Sequence, residues 1–196
     1  MVRQTRACGL IGSACIAIDT QSDTLESTPR VGLLDRKLKR GLSNLDDVLL
    51  HMRGHWQTTL GYMEGKSFVE QIRWFHNHDV VVSPHGAQSA SVAFMPVCGA
   101  FLEFHTKYAM FLWCFAGLAA DSGLITGFLY LSKKTMKADM LTDKVRHPQC
   151  IIVNRWIREH KVCVPPSAVV AAVKEMITKR NLCIKEAVRH KLRSAD

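Results

Sequence analysis

The stretch DVVVSPHGA, residues 79–87, decides the fold. Its three consecutive valines form a β-branched apolar run, which is typical of a strand buried on both faces in the middle of a parallel sheet. The sequence Ser-Pro-His-Gly follows directly. We therefore predict a central strand over residues 80–82, followed by a loop at residues 83–86.

Upstream of this strand, strand-like and helix-like patterns alternate. Residues 31–34 predict a strand, and Asn44 offers an N-cap to a helix over 45–52 whose first turn carries Asp46 and Asp47. Residues 56–62 are rich in β-formers. Ser67 and Glu70 then have capping-box spacing, and they predict a helix whose apolar face carries Phe68, Ile72 and Phe75.

Downstream, the alternation continues with a short helix over 88–95, a strand over 100–104, a helix over 108–120 and a strand over 125–131. A polar loop (136–149) and a short strand (151–153) follow. Pro165-Pro166 then introduces a final helix with an apolar face at Val169, Val173, Met176 and Ile177, and we expect its basic residues to be solvated. The alternation predicts an α/β fold, a Rossmann-like parallel sheet with helices on both faces. We divide the chain into an unassigned segment (1–29), a Rossmann-like domain (30–165) and a basic amphipathic helix (166–196).

Composition and charge limit the classes of function that the chain can have. A chain of 196 residues that is 47% hydrophobic can bury one ordinary core. The net charge of +9 suits an anionic partner, but neither basic stretch, residues 36–40 or 174–193, carries a nucleic-acid recognition signature. The seven cysteines lack C-x-x-C spacing, which argues against a zinc ribbon. We expect most of them to be small buried side chains, although a secretory setting would permit disulfides.

Two apolar runs raise the question of a membrane. Residues 10–18 follow two arginines and faintly resemble a signal peptide, but a buried strand or the start of a truncated sequence fits equally well. Residues 109–131 are long enough to cross a bilayer, but Asp121-Ser122-Gly123 interrupts them with a charge and ordinary turn chemistry. We favour a buried helix, a turn and a strand over a membrane span.

The loop after the central strand is the candidate ligand site. In open parallel sheets, ligands bind beyond the carboxyl ends of the strands, where amides at the start of a helix carry partial positive charge. Gly86 lets the backbone approach a ligand, and His85 supplies a donor or acceptor at the rim, although a plain loop histidine is the alternative. A zinc site built with His76 and His78 is disfavoured, because these residues precede the strand and belong to the opposite sheet edge.

Several motifs together resemble the donor domain of glycosyltransferase family 61. They are, in order, an R-x-x-x-R-x-x-x-N element at Arg36, Arg40 and Asn44; the F-x-E-Q-h motif at 68–72; D-h-h-h-x-x-H-G-A at 79–87; F-h-P at 94–96; and h-E at 102–103, where h is apolar. The resemblance covers residues 31–132. It implies the carboxyl-terminal half of a GT-B enzyme that is inverting, needs no obligatory metal or other cofactor, and uses a nucleotide sugar. The absence of a D-x-D triplet agrees.

The resemblance assigns donor-binding roles to nine residues. Arg36 and Arg40 would face the charge that develops on a departing nucleoside diphosphate, and helix-N-terminal amides near Gly86 and Ala87 would add fixed dipoles. Glu103, at a strand end, would accept hydrogen bonds from ribose hydroxyls rather than act as a base; a surface carboxylate is the alternative. The remaining substrate-binding candidates are Asn44, His85, Gln88 and Ser91. The catalytic residue is unknown, since the base is expected outside this chain.

The sequence departs from the family pattern after H-G-A. Gln88 replaces the common glycine and Ser91 the common asparagine of G-L-T-N. This leaves two interpretations open: a transferase that uses a UDP-sugar and a protein or glycan acceptor, or a non-catalytic nucleotide-binding or interaction module derived from one. A nucleic-acid-binding domain ranks last. The resemblance implies the Golgi or secretory lumen, with membrane attachment only through an amino-terminal anchor that this sequence lacks.

Overall fold

A computed structural model describes residues 28–37, 40–106, 114–131 and 161–193. Five strands form one parallel sheet in the order β2-β1-β3-β4-β5. The strands are β1 (Val31–Asp35), β2 (Thr58–Tyr62), β3 (Val80–Pro84), β4 (Ala100–Thr106) and β5 (Ile125–Leu131). The helices are α1 (Leu45–Arg53), α2 (Phe68–His76), α3 (Phe115–Asp121) and α4 (Pro166–Arg193). The predicted Rossmann-like α/β fold is confirmed, with β3 in the middle of the sheet.

Both faces of the sheet are covered. Alternate side chains of a strand point to opposite faces, so Val80 and Val82 join one core while Val81 joins the other. On the first face, α1 and α4 supply Val48, Met52, Val169, Val173 and Met176 to that core. On the second face, α2 and α3 contribute Phe75 and Ala119. The continuous valine run is therefore explained by helices on both sides.

Helix α2 shows how the local sequence sets its start. Glu70 N donates to Ser67 Oγ at 3.3 Å, while Ser67 N donates to Glu70 Oε2 at 2.8 Å, which completes the predicted capping box. Ile72 and Phe75 are buried as expected. Phe68, on the same predicted apolar face, is 47% exposed and meets Phe94 edge-on, so the sheet covers this face only at Ile72 and Phe75.

Two predicted helices differ from the structure. Residues 88–95 form two 3-10 turns (Ala87–Ser89 and Val92–Phe94) rather than a helix. The helix predicted over 108–120 is observed as the seven-residue α3, which a turn with Gly123 at φ 76° joins to β5. Its first predicted residues, like the expected loop (136–149) and short strand (151–153), lie outside the described residues. No helix in the described ranges combines the length and apolar content that a bilayer span requires.

The long helix α4 is fixed to the sheet near its middle. Arg180, only 4% exposed, donates from Nη2 to Asp79 Oδ1 at 2.8 Å, and Arg30 Nε approaches the second oxygen of Asp79 at 3.2 Å. The expectation that the basic residues of this helix are all solvated is therefore wrong for Arg180. Three residues later, Cys183 forms a disulfide with Cys98, which precedes β4. Cys163 is also disulfide-bonded, and Cys98 and Cys163 are buried as expected, whereas Cys114 is free and exposed.

Candidate functional site

The sheet order fixes where a ligand can enter. From β1 the chain crosses to β2 on one side, and from β2 it crosses back to β3 on the other side of β1. The loops that leave β1 and β3 therefore diverge and open a crevice at the carboxyl ends of these neighbouring strands. Such a switch in strand order is the general location of ligand sites in open α/β sheets. The predicted site residues Arg36, His85 and Gly86 directly follow these two strands.

Arg36 and Gly86 meet across this crevice. A Cβ atom added to Gly86 would lie only 2.7 Å from Nη1 of Arg36, so the guanidinium rests directly against the glycine backbone. Gly86 has φ 163°, an extended conformation open to any residue, and the requirement for glycine is therefore steric. Nη1 of Arg36 is buried and has no hydrogen-bond partner among the described residues. The crevice thus holds a cationic donor that makes no hydrogen bond within the described part of the chain.

The loop after β1 folds back on itself. Asp35, 3% exposed, accepts a hydrogen bond from Leu42 N at 2.8 Å. Burial raises the pKa of Asp35 above its usual value, outweighing the backbone hydrogen bonds from Leu42 and Arg36 that lower it. Arg40 has φ 63° and lies one residue before Gly41, whose backbone abuts the Arg36 carbonyl. The loop therefore returns the backbone of Arg40 to the vicinity of Arg36.

The side chain of Asn44 ties this loop to the segment that precedes α4. Its Nδ2 donates to Val164 O at 2.7 Å, and its Oδ1 accepts from Val164 N at 3.2 Å. The same segment forms a parallel bridge between Val162 and Leu42. Asn44 occupies the N-cap position of α1, but its side chain makes no capping hydrogen bond, so the predicted side-chain cap is wrong. A ligand contact by this amide would use its remaining proton or the second lone pair of Oδ1.

His85 is held by a buried carboxylate. Its Nδ1 lies 2.7 Å from Glu103 Oε1, and Nε2 of His105 lies 3.0 Å from Glu103 Oε2. A carboxylate only accepts, so the proton of Nδ1 points at Glu103 and leaves Nε2 of His85 for other partners. Burial favours a raised pKa for Glu103, but the hydrogen bonds from His105 and His85 outweigh it and hold that pKa below its usual value.

Glu103 is placed differently from its prediction. The side chain is 0% exposed and both oxygens already accept from imidazoles, so neither a surface carboxylate nor a direct contact with ribose hydroxyls fits. It lies behind His85 as a positioning residue. His105 was missed from the sequence, although alternation along a strand places residues 103 and 105 on one face and could have revealed it.

The same three side chains are the group in the described residues that could hold a metal ion, with ligand atoms all within 4.8 Å of one another. The separations of 2.7 and 3.0 Å between the imidazole nitrogens and the Glu103 oxygens are those of direct hydrogen bonds. Hydrogen bonds alone therefore explain why the three side chains lie together. His78 is separate from this group. It lies before the start of β3, and its ring forms hydrogen bonds with Thr59 and with the Trp74 carbonyl.

The segment after Gly86 brings Gln88 into the site and turns Ser91 away. Gln88 Nε2 donates to Pro84 O at 2.5 Å and to Ser83 Oγ at 3.1 Å, while its Oε1 is buried without a partner in the described structure. Ser91 is 1% exposed and donates to Gln71 Oε1 at 3.4 Å, so its predicted ligand contact is replaced by a contact with α2. Ala87 is exposed at the start of a three-residue turn. That turn is too short to provide the helix dipole predicted here.

A cavity of about 430 Å³ adjoins the crevice on the α1 side. Arg36, Tyr62 and Lys161 are among its lining residues. Lys161 was not found by sequence reasoning, because the segment that carries it reaches the loop only in the folded chain. Lys37 also lines this cavity, as do Asp46 and Asp47 at the start of α1.

Comparison with known proteins finds one similarity to a family. Residues 12–101 match the family model described as Glycosyltransferase 61. The match includes β1, its arginine loop, β3 and the His85-Gly86 turn, so the crevice described above lies within it. No curated protein matches the chain. Over residues 12–101, which make up just under half of the chain, the sequence is similar to glycosyltransferase family 61.

Proposed function

We propose that this chain forms the donor half of a GT-B transferase and binds a UDP-sugar, with the diphosphate in the crevice between Arg36 and Gly86. The observation that carries the proposal is the buried, unpartnered Nη1 of Arg36 pressed against the Gly86 backbone. A buried donor without a partner costs about 1–3 kcal/mol, and a phosphate oxygen would remove that cost with a charge-assisted hydrogen bond.

The chemistry requires a cation at this place. An acceptor hydroxyl attacks the anomeric carbon, the bond from that carbon to the phosphate oxygen breaks, and its electron pair leaves with the nucleoside diphosphate. Arg36 faces the charge that accumulates, with Arg40 at the same loop as its partner. A single displacement inverts the anomeric configuration. The acceptor proton goes to a base supplied by the other half of the enzyme, and no metal is needed where guanidiniums neutralise the diphosphate.

The acceptor is a protein or a glycan, and the setting is the Golgi or secretory lumen. The Cys98–Cys183 disulfide supports this setting, because such bonds persist in oxidising compartments. The family resemblance points the same way.

Calorimetric titration with UDP, uridine and UMP tests the proposal. We expect UDP to bind and uridine to bind at least tenfold more weakly, and Arg36→Ala and Arg40→Ala each to reduce UDP affinity about tenfold, since each removes a charged hydrogen bond. Arg189→Ala on the exposed end of α4 is the charge-matched control. Absence of UDP binding at millimolar concentration would favour the non-catalytic interaction module, and steeply salt-dependent RNA or DNA binding would favour the nucleic-acid alternative.

A further inference from the structure

Two buried polar atoms of opposite character meet above Gly86. Nη1 of Arg36 is a donor and Oε1 of Gln88 is an acceptor, and neither has a partner among the described residues. Both lie under 3.0 Å from the position that a Gly86 Cβ would occupy. Gln88 is only 8% exposed, so its side chain is held in place rather than free in solvent.

The orientation of the Gln88 amide is fixed by its other end. Nε2 faces the Pro84 carbonyl at 2.5 Å and the Ser83 hydroxyl at 3.1 Å. A backbone carbonyl can only accept, so a flipped amide would bring two oxygens together. The carbonyl end of Gln88 must therefore face the space over Gly86.

A phosphate group satisfies only half of this pair. Its oxygens accept from Arg36, but they have no proton to donate, and their negative charge is repelled by the amide oxygen of Gln88. A hydroxyl group can accept one of the two Nη1 protons of Arg36 and donate to Gln88 at the same time, which leaves the second Nη1 proton for a phosphate oxygen. In a nucleotide sugar, the hydroxyl nearest to the diphosphate is that on C2 of the sugar, next to the anomeric carbon.

We propose that Gln88 recognises the 2-hydroxyl of the transferred sugar, so that the donor is a sugar with a free hydroxyl at C2. This inference rests on the proposed binding of a nucleotide sugar at Arg36. The glutamine oxygen gives selectivity because a site built to accept a proton is left with an unpaired buried oxygen when the ligand has none to give. Gln88 thus acts as a specificity-determining residue beside the diphosphate.

The test compares UDP, UDP-glucose and UDP-2-deoxy-2-fluoroglucose on the wild-type chain and on Gln88→Met. Fluorine cannot donate a hydrogen bond, so we expect the wild type to bind the fluoro compound about tenfold more weakly than UDP-glucose. In Gln88→Met we expect this preference to vanish, with UDP-glucose weakened about tenfold and UDP by less than twofold. Melting temperature reports whether the variant folds.

The wild-type measurement stands even if Gln88→Met fails to fold. Equal wild-type affinity for UDP-glucose and its fluoro analogue overturns the inference, as does an equal loss of UDP and UDP-glucose binding in the variant, which would indicate a ribose contact instead. Failure of the proposed function is a separate result, because then the wild type binds none of the three compounds.

Discussion

Arg36 and Gly86 lie in direct contact, so that the loop after β1 and the loop after β3 share one crevice. We expect Gly86→Ala to displace both the guanidinium and the Gln88 amide, because the new methyl carbon would lie 2.7 Å from Nη1 of Arg36 and closer still to Oε1 of Gln88. UDP affinity measured by calorimetry should fall at least tenfold. The control is Gly117→Ala in α3, where nothing lies within 4 Å of the added carbon and helix propensity favours alanine by about 0.5–1 kcal/mol. UDP binding unchanged in Gly86→Ala would contradict the placement of the diphosphate.

Glu103→Gln should loosen His85. The amide would turn a nitrogen toward one of the two imidazoles that now donate to the carboxylate, and this mismatch costs about 1–3 kcal/mol in unfolding free energy. Nitrogen-15 chemical shifts of the His85 ring should show a change in the population of the Nδ1-protonated form. His105→Asn serves as the comparison, since it removes the second donor and leaves the pair of His85 and Glu103. An unchanged His85 ring spectrum in Glu103→Gln would show that Glu103 does not position it.

Asp79→Asn should destabilise the protein by about 3–5 kcal/mol, because it removes the carboxylate charge that pairs with the nearly buried Arg180 and with Arg30. Urea unfolding measures this, with the exposed Glu175→Gln as a control that should change stability by less than about 0.5 kcal/mol.

The same carboxylate predicts a pH dependence. Burial alone would raise the pKa of Asp79, but the hydrogen bonds from Arg30 and the charge of Arg180 hold it below the ordinary value of 3.8. Because the folded pKa is the lower one, the stabilisation is complete above the ordinary value and is lost as pH falls through the folded pKa. The unfolding free energy of the wild type should therefore fall more steeply below pH about 4 than that of Asp79→Asn. Equal slopes for the two proteins in this pH range would contradict the prediction.

Reduction of the Cys98–Cys183 disulfide should lower the unfolding free energy by about 2–5 kcal/mol, because the bond closes a long loop with a sequence separation of 85 residues. Cys98→Ser with Cys183→Ser should show this loss without reductant and with the Cys163 disulfide intact, whereas a reductant would open both bonds. Cys114→Ser is the control, since that thiol is free and exposed. Unreduced peptide mapping should recover the two cysteines in one linked fragment, and two separate fragments would rule the bond out.

The sheet could be predicted because each strand carries its own signal. The valine run of β3 and the capping box of α2 are local patterns, and the structure confirms both. The residues after Gly86 were predicted as one helix, but the hydrogen bonds of Gln88 and Ser89 to Ser83 hold them as separate 3-10 turns. Local propensity does not include such contacts with a preceding strand.

The site was only partly predictable, because its partners are distant in sequence. Arg36 was found through its spacing from other motif residues, but the bond between Asn44 and Val164 joins residues 120 apart and replaces the predicted cap. The position of Glu103 between His85 and His105 likewise depends on the loop after β3 reaching over β4. Sequence reasoning identified which side chains gather here, and the fold determined which of them face a ligand.

The parallel bridge between Leu42 and Val162 makes the arginine loop dependent on residues more than a hundred positions away. The segment that braces the loop continues straight into α4, which Arg180 and Cys183 anchor at the opposite edge of the sheet. The segment at Val162 and helix α4 together thus maintain the shape of the crevice. A chain that ended before residue 161 would lose both the last helix and the segment that holds the arginine loop in shape. Every motif residue would still be present in such a chain.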